Sequence, residues 1–275
     1  MYSFEKKICV IIPTHNRLKT TLKCVTTLSS IDSQLPIIIC DSNSTDGTVD
    51  SLSKFSNVTV VPAFDNWWTG ACNLGIDYAL TNKFDLLVIL NDDIDFNSNL
   101  IDLLLEKHEQ YPEHIISAYQ DTPTGPFLGY NYHGLLKTQE LISVSSSDVF
   151  VDSSNGCCLL VPSHVFYTIG LLDAVNCPHL YGDTVFQIKA KESGFNTIAI
   201  PTILIKQHES TDYISRINLN TIFTFPGSPF HIRSFLTFGQ VLFDGKIPFF
   251  LFGFKYIFSY IRALVTSFFV LLFRP

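Results

Sequence analysis

Two adjacent carboxylates, Asp92 and Asp93, stand directly behind an apolar run, Phe84 to Leu90, in the stretch Leu90-Asn91-Asp92-Asp93. The run is short, unbroken and aliphatic, which predicts a buried parallel strand. In open α/β sheets, ligands sit beyond the carboxyl ends of such strands. Neighbouring carboxylates there repel each other and lose water, so a cation should compensate them. A divalent metal carrying a phosphate-bearing substrate meets that need, because Mg²⁺ takes one or two carboxylates plus substrate oxygens. The alternative is a polar loop whose aspartates are solvated or cap the next helix.

The elements that must position this cluster follow from periodicity and punctuation. Ile8 to Ile12, ended by Pro13, reads as a first strand. Leu18, Leu22, Val25 and Leu28 recur at helical spacing. Pro36 precedes a strand from Ile37 to Cys40, and the turn Asp41 to Thr48 should start a helix running towards Phe55. A strand at Val58 to Val61, a helix at Gly70 to Leu80, the strand ending at Leu90 and a helix at Leu100 to Lys107 follow. This alternation predicts an α/β fold with a mostly parallel sheet and right-handed crossovers. Glycines and a serine run between Ile115 and Phe150 predict a loop-rich section with one or two short strands. Beyond it come a strand at Cys157 to Val161, a helix from Ser163, and a helix at Thr184 to Ser193 closed by Gly194. Ile198 to Ile205 is apolar but interrupted by Pro201.

Composition narrows the classes. The 275 residues are 47% hydrophobic, enough for one sizeable domain with an attached element. A formal net charge of −7 argues against a nucleic-acid binder. The charge is uneven: residues 221–275 carry five basic side chains against one acidic, net +4, and hold 14 of the 24 phenylalanines. The seven cysteines are scattered without CxxC spacing, which fits free thiols in a reducing cytosol rather than zinc or disulfides. Charges lie within Met1 to Val10, where a secretion signal would need its apolar core.

Five segments, in order, resemble one family, the inverting family 2 glycosyltransferases of GT-A fold. They are Val10-Ile11-Ile12-Pro13-Thr14-His15-Asn16-Arg17, the turn Asp41-Ser42-Asn43-Ser44-Thr45-Asp46-Gly47-Thr48, and the stretch from Asn66-Trp67-Trp68 through Gly70, Asn73 and Gly75. Asn91-Asp92-Asp93 stands where the family has its DxD motif, and Tyr181-Gly182-Asp183 through Lys189 to Gly194-Phe195 resembles its "ED…R…G-[YF]" helix. The resemblance covers about residues 5 to 210.

The residues carry roles consistent with that resemblance. Asp41 ends a strand where a pocket should open, and its carboxylate can accept the N–H of a uracil or thymine ring, as the family's aspartate does; capping the turn is the alternative. Asp46-Gly47 reads as a structural helix start. Pro13 and Thr14 would offer backbone contacts to the nucleotide, while Arg17 either meets phosphate or is solvated. Trp67 and Trp68 are the only tryptophans; on extended backbone one would face the core and the other the site. The resemblance places Gly70 and Asn73 near the nucleotide, Asp93 at the metal-binding carboxylate and Asn91, a departure, at the first DxD position. Asp92 then holds the variable position, facing solvent or assisting the metal. Asp183 is the expected general base, at a helix start whose positive end favours the ionised form; an N-cap role is the alternative. The family's usual Glu before it is Gly182 here. His208 stands where family members place a metal-binding histidine, a better ligand for Mn²⁺ than for Mg²⁺.

Ser228 to Arg233 resembles the segment that follows the catalytic domain in bacterial surface-polysaccharide transferases, rhamnosyltransferases among them. Pro248 to Phe273 is apolar but interrupted by Lys255 and Arg262, and its last uncharged run has only 11 residues, against the roughly 20 of a spanning helix. The expectation is an interfacial helix pair on the cytoplasmic face of the membrane, with a packed soluble hairpin as the alternative. The resulting reading has a catalytic domain over 1–220 and a tail over 221–275. The domain would move a sugar from a nucleoside diphosphate donor to a glycan or lipid-linked glycan, using Mn²⁺ or Mg²⁺; a homo-oligomer is left open. Its rivals are a sugar-phosphate nucleotidyltransferase, which would want a Gly-rich basic loop after the first strand, and a non-catalytic nucleotide-sugar or glycan-binding module.

Overall fold

The computed structural model describes residues 6–64, 66–135, 137–207, 223–228, 231–243 and 253. Strand β1 (Ile8–Thr14) pairs in parallel with β2 (Ile37–Asp41) on one side and β4 (Leu86–Leu90) on the other, and β3 (Val58–Pro62) extends the parallel set beyond β2. Helix α1 (Leu18–Ile31) joins β1 to β2, α2 (Thr48–Leu52) joins β2 to β3, and α3 (Trp68–Thr81) joins β3 to β4. The apolar runs are continuous because these strands are covered on both faces. Val10, Ile12, Ile37, Ile39, Val88 and Leu90 pack with Cys24, Val25 and Leu28 of α1. The alternate residues Cys9, Ile11, Ile38, Leu87 and Ile89 pack with Ala71, Cys72 and Ile76 of α3. Each fully buried aliphatic side chain contributes about 1.5–3 kcal/mol, so two faces of this kind anchor the sheet. Gly75 lets α3 approach closely: a Cβ there would lie 2.5 Å from both the Cys40 sulfur and the Ile11 Cγ2.

Beyond β4 the sheet departs from the parallel expectation. After β5 (Ile94–Phe96) and α4 (Leu100–Gln110) comes β6 (Ile115–Thr122), followed by β7 (Gly125–Phe127), β8 (Gly129–His133), β9 (Thr138–Ile142), β10 (Val149–Val151) and β11 (Cys158–Pro162). Strand β11 runs antiparallel between β4 and β6. Helices α5 (Ser163–Ile169) and α6 (Gly182–Glu192) lead to β12 (Thr197–Gln207), which pairs in parallel with β6, antiparallel with β5 and antiparallel with β10. The sheet is therefore mixed, with the order β10-β12-β6-β11-β4-β1-β2-β3.

The stretch expected to be loop-rich holds five strands. Its glycines punctuate short strands instead of a long loop. Its longest strand hides in the sequence because β6 buries polar residues, Ser117 and Gln120, whose partners are the Ser154 hydroxyl at 2.7 Å and the Asn155 amide at 3.3 Å. Pro201 does not end β12; the register against β6 shifts between Ile200 and Leu204, and that bulge takes up the missing N–H. Helix α7 (Ile232–Phe243), beyond the expected boundary at 220, packs on α6 through Phe238, Leu242 and Phe243 against Cys177, Val185 and Ile188. His208 lies outside the described residues, as does all of 248–273 but Gly253. Among the described residues no helix is long and apolar enough to cross a membrane.

Candidate active site

The order β3-β2-β1-β4 reverses direction at β1, and a crevice opens at such a point beyond the carboxyl ends of the strands. Thr14 is in register with Asp41 at that edge, and the start of antiparallel β11 is in register with Leu90, so Asn155-Gly156-Cys157 arrives at the same edge. The result is a cleft of about 1190 Å³. That exceeds the roughly 300–1,000 Å³ of a pocket for one small ligand, which leaves room for two substrates. Pro13, Thr14, Arg17, Trp68, Asn91, Asp92, Asp93 and Asp183 all line it.

Arg17 spans the acidic pair. Its Nε lies 3.0 Å from Asp92 Oδ1 and its Nη2 lies 3.1 Å from Asp93 Oδ2. Asp92 is buried, only 6% exposed, and its Oδ2 also accepts a 2.7 Å hydrogen bond from the Thr21 hydroxyl. Burial pushes its carboxyl above the ordinary range, and Arg17 and Thr21 oppose that. In this arrangement Arg17 meets two carboxylates, Asp92 meets Arg17 and Thr21, and both residues line the cleft. Asp93 differs, because its buried Oδ1 has no hydrogen-bond partner among the described residues. A carboxylate oxygen left in that state fits a divalent cation whose remaining ligands are substrate oxygens and water. Among the described residues there is no group of three or more His, Cys, Asp or Glu side chains that could hold a metal ion.

The opposite wall is built around Asp183. Its Oδ2 accepts the Gly156 N–H at 2.6 Å and its Oδ1 accepts the Thr184 N–H at 2.7 Å. It occupies the second position of α6 and is not the N-cap; that position belongs to Tyr181, in the left-handed region at φ 66°. Burial raises the carboxyl pKa, and the two N–H donors hold it down. Trp68 lies over Gly156, where a Cβ would meet its ring at 2.6 Å, so the glycine is needed for the loop to pass between Trp68 and Asp183. The indole Nε1 donates to Asn91 Oδ1 at 2.8 Å, and Asn91 Nδ2 points to the Cys157 sulfur at 3.5 Å. Asn91 is thus engaged with protein partners rather than left free for a sugar. Burial raises the Cys157 thiol pKa, with added contributions from Asp93 and Asp183.

The remaining expected residues separate. Asp41 is buried, its Oδ2 accepts the Ser44 N–H at 2.9 Å, and its buried Oδ1 has no partner among the described residues. Thr14 is buried with its hydroxyl 2.7 Å from that of Thr21. Gly70 is packed under Asn66, and neither it nor Asp41 is among the residues lining the cleft. The Asn73 amide exchanges two hydrogen bonds with the Leu172 backbone, at 2.8 and 3.0 Å, ties α3 to the segment after α5, and is not among the residues lining the cleft. Both tryptophans reach the cleft, Trp67 with edge contacts to His179 and Phe225. Sequence reasoning missed Tyr130, Tyr132, Gly156, His179, Tyr181 and Phe238, which also line it. Asn155-Gly156, a turn dipeptide before a strand, and Tyr181, within the motif that ends in Asp183, were the available signals; Tyr130, Tyr132 and Phe238 carried none.

Comparison with known proteins agrees with this architecture. The family model described as glycosyl transferase family 2 matches residues 9–159. Among solved structures, GalNAc-T7 crystallised with UDP, GalNAc and Mn²⁺ is similar with a TM-score of 0.64 at 11% identity, a likeness of fold. The match covers 88% of this chain and 48% of that one, so the chain spans about half the length of that protein. No curated protein sequence matches. More than half of the chain fits the family model, on a GT-A fold with the acidic cluster at its switch point, and the chain therefore belongs to glycosyl transferase family 2.

Proposed function

We propose that this protein is a glycosyltransferase that transfers a sugar, with inversion, from a nucleoside diphosphate donor to a glycan or lipid-linked glycan hydroxyl during cell-surface polysaccharide assembly. The observation that carries the reading is the pairing of two acidic centres in one cleft: Asp92-Asp93 on one wall and Asp183 on the other. Inversion needs one base to take the acceptor proton as its oxygen attacks the anomeric carbon, and Asp183 is that base. Its two backbone donors orient the carboxylate, and burial moves its basicity towards neutral pH. Asp93 would hold a divalent metal through Oδ1, with His208 a further candidate ligand in the sequence. The bound metal would neutralise the departing diphosphate. Asp41 Oδ1, buried and without a partner among the described residues, would accept a pyrimidine N–H only after the loop over it moves, while Pro13 and Thr14 line the cleft and would meet the donor there. The basic, Phe-rich stretch after Phe243 supports peripheral contact with the cytoplasmic membrane face.

Asp183→Asn tests the base. It keeps the shape and an accepting oxygen but loses the proton acceptor. Transfer should fall by about 10²–10⁴-fold. Donor binding, read as thermal stabilisation by UDP-, dTDP- and GDP-sugars with Mn²⁺, should be unchanged. Near-normal turnover of the variant would assign the proton to another residue.

A further inference from the structure

The C-terminal helix α7 reaches the catalytic wall. Tyr181 is a bulky residue at φ 66° and ψ −2°, a left-handed conformation normally left to glycine. Its carbonyl accepts the Val185 N–H at 2.8 Å, so its backbone sets the first turn of α6, in which Asp183 lies. Something must hold this conformation, and the contacts come from α7. The Tyr181 ring stacks on Phe238 with centroids 5.0 Å apart and planes 14° apart, and Tyr132 meets Phe238 edge-on at 5.7 Å. The same helix pins the segment before Tyr181: the Ser234 hydroxyl donates to the Asn176 carbonyl at 3.0 Å, and Cys177 packs under α7. The loop that delivers Asp183 is thus clamped by α7, while Gly156 holds the Asp183 carboxylate itself.

We propose that Phe238 and Tyr181 are positioning residues for the Asp183 carboxylate, so that α7 completes the catalytic wall. This rests on the reading of Asp183 as the base. The stack fixes the left-handed Tyr181, the fixed Tyr181 sets the first turn of α6, and that turn aims Asp183 across the cleft. A misplacement of about 1 Å at a catalytic group can cost 10²-fold in rate, so loosening the stack should act on turnover before it acts on binding.

The test uses the full chain with donor, Mn²⁺ and acceptor. Phe238→Leu keeps an apolar side chain but removes the stack; kcat should fall about 10- to 100-fold with donor and acceptor KM within about twofold. Phe238→Tyr keeps the stack and should restore most of kcat. Tyr181→Gly adopts the same backbone without strain but lacks the ring, and should fall like Phe238→Leu; it carries the test if Phe238→Leu does not fold. In an Asp183→Asn background, Phe238→Leu should add little further loss, because both act through one carboxylate. Normal kcat in Phe238→Leu and Tyr181→Gly would overturn the proposal, as would a raised acceptor KM at unchanged kcat, which would make the ring an acceptor contact. With Asp183→Asn inactive, those outcomes would sink the positioning role alone. With Asp183→Asn fully active, the base assignment and the positioning role would fall together.

Discussion

At the scale of single residues, the two aspartates of the acidic cluster do different work. Asp92 is spent on Arg17 and Thr21, whereas Asp93 keeps one buried oxygen without a partner. Asp93→Ala should therefore abolish Mn²⁺-dependent donor binding while the fold persists, as measured by thermal shift with and without the metal. Asp92→Ala should instead lower stability by about 1–3 kcal/mol, because Thr21 loses its carboxylate acceptor, keeping the Arg17 carbonyl at 3.0 Å, and Arg17 loses one of its two carboxylates. Metal-dependent donor affinity that survived in Asp93→Ala but vanished in Asp92→Ala would reverse these assignments. Gly182 also finds its explanation here. A Cβ at this position would collide with the Thr69 hydroxyl and approach the Cys177 carbonyl at 3.2 Å, so the glutamate common in the family has no room.

At the scale of elements, helix ends and docking contacts set the stability. Asp46 joins two helices, accepting the Thr48 N–H at 3.1 Å for α2 and the Leu18 N–H at 2.9 Å for α1. Gly194 ends α6 at φ 93°, with Gly194 N–H on the Lys191 carbonyl and Phe195 N–H on that of Ala190, a Schellman arrangement. Helix α4 buries His108, whose Nε2 accepts from Lys6 Nζ at 2.5 Å. Burial, followed by the Lys6 charge, lowers its pKa from 6.5 to about 4. Between those values the unfolded chain binds the extra proton, so this histidine's contribution to stability is complete above about pH 6.5 and is lost as pH falls towards 4. His108→Gln, which can still accept from Lys6, should flatten the decline in urea midpoint between pH 7 and pH 5. His179, lowered to about 4 by burial, accounts for part of the slope that remains. An unaltered slope in the variant would remove His108 from this role.

At the scale of the whole molecule, an acidic catalytic body continues into a basic, Phe-rich C-terminal stretch. Near an anionic leaflet each Lys or Arg contributes about 1 kcal/mol, screened by salt, while burial of phenylalanine adds an unscreened term. The full chain should pellet with membranes, resist salt in part, and come off with alkaline carbonate or mild detergent. Deleting Phe249 to Pro275 leaves α7 in place and should release a protein that still binds donor. Retention after alkaline carbonate would show an integral span instead. A full-length chain found as a soluble monomer would favour a tail packed on the domain.

The sequence alone determined the α/β alternation of the first half and the centres of its buried strands, because unbroken aliphatic runs such as Ile37 to Cys40 pack in a sheet covered on both faces; the ends it left open, β1 running through Pro13 to Thr14. It also determined which carboxylates reach the site, since Asp92 and Asp93 directly follow such a run and Asp183 starts a helix. Partners distant in the chain were decided only by the tertiary structure. Arg17 could be assigned phosphate or solvent until the β1–β4 pairing carried it to Asp92 and Asp93. Only the tertiary structure gave Asn73 its partner, the Leu172 backbone in the segment after α5. The antiparallel β11 had the composition of any buried strand, and only its insertion between β4 and β6 set its direction and brought Gly156 to Asp183. Phe238 carried no signal, because one phenylalanine among 24 acquires a role through the ring it stacks on, and that is set by long-range packing rather than by local periodicity.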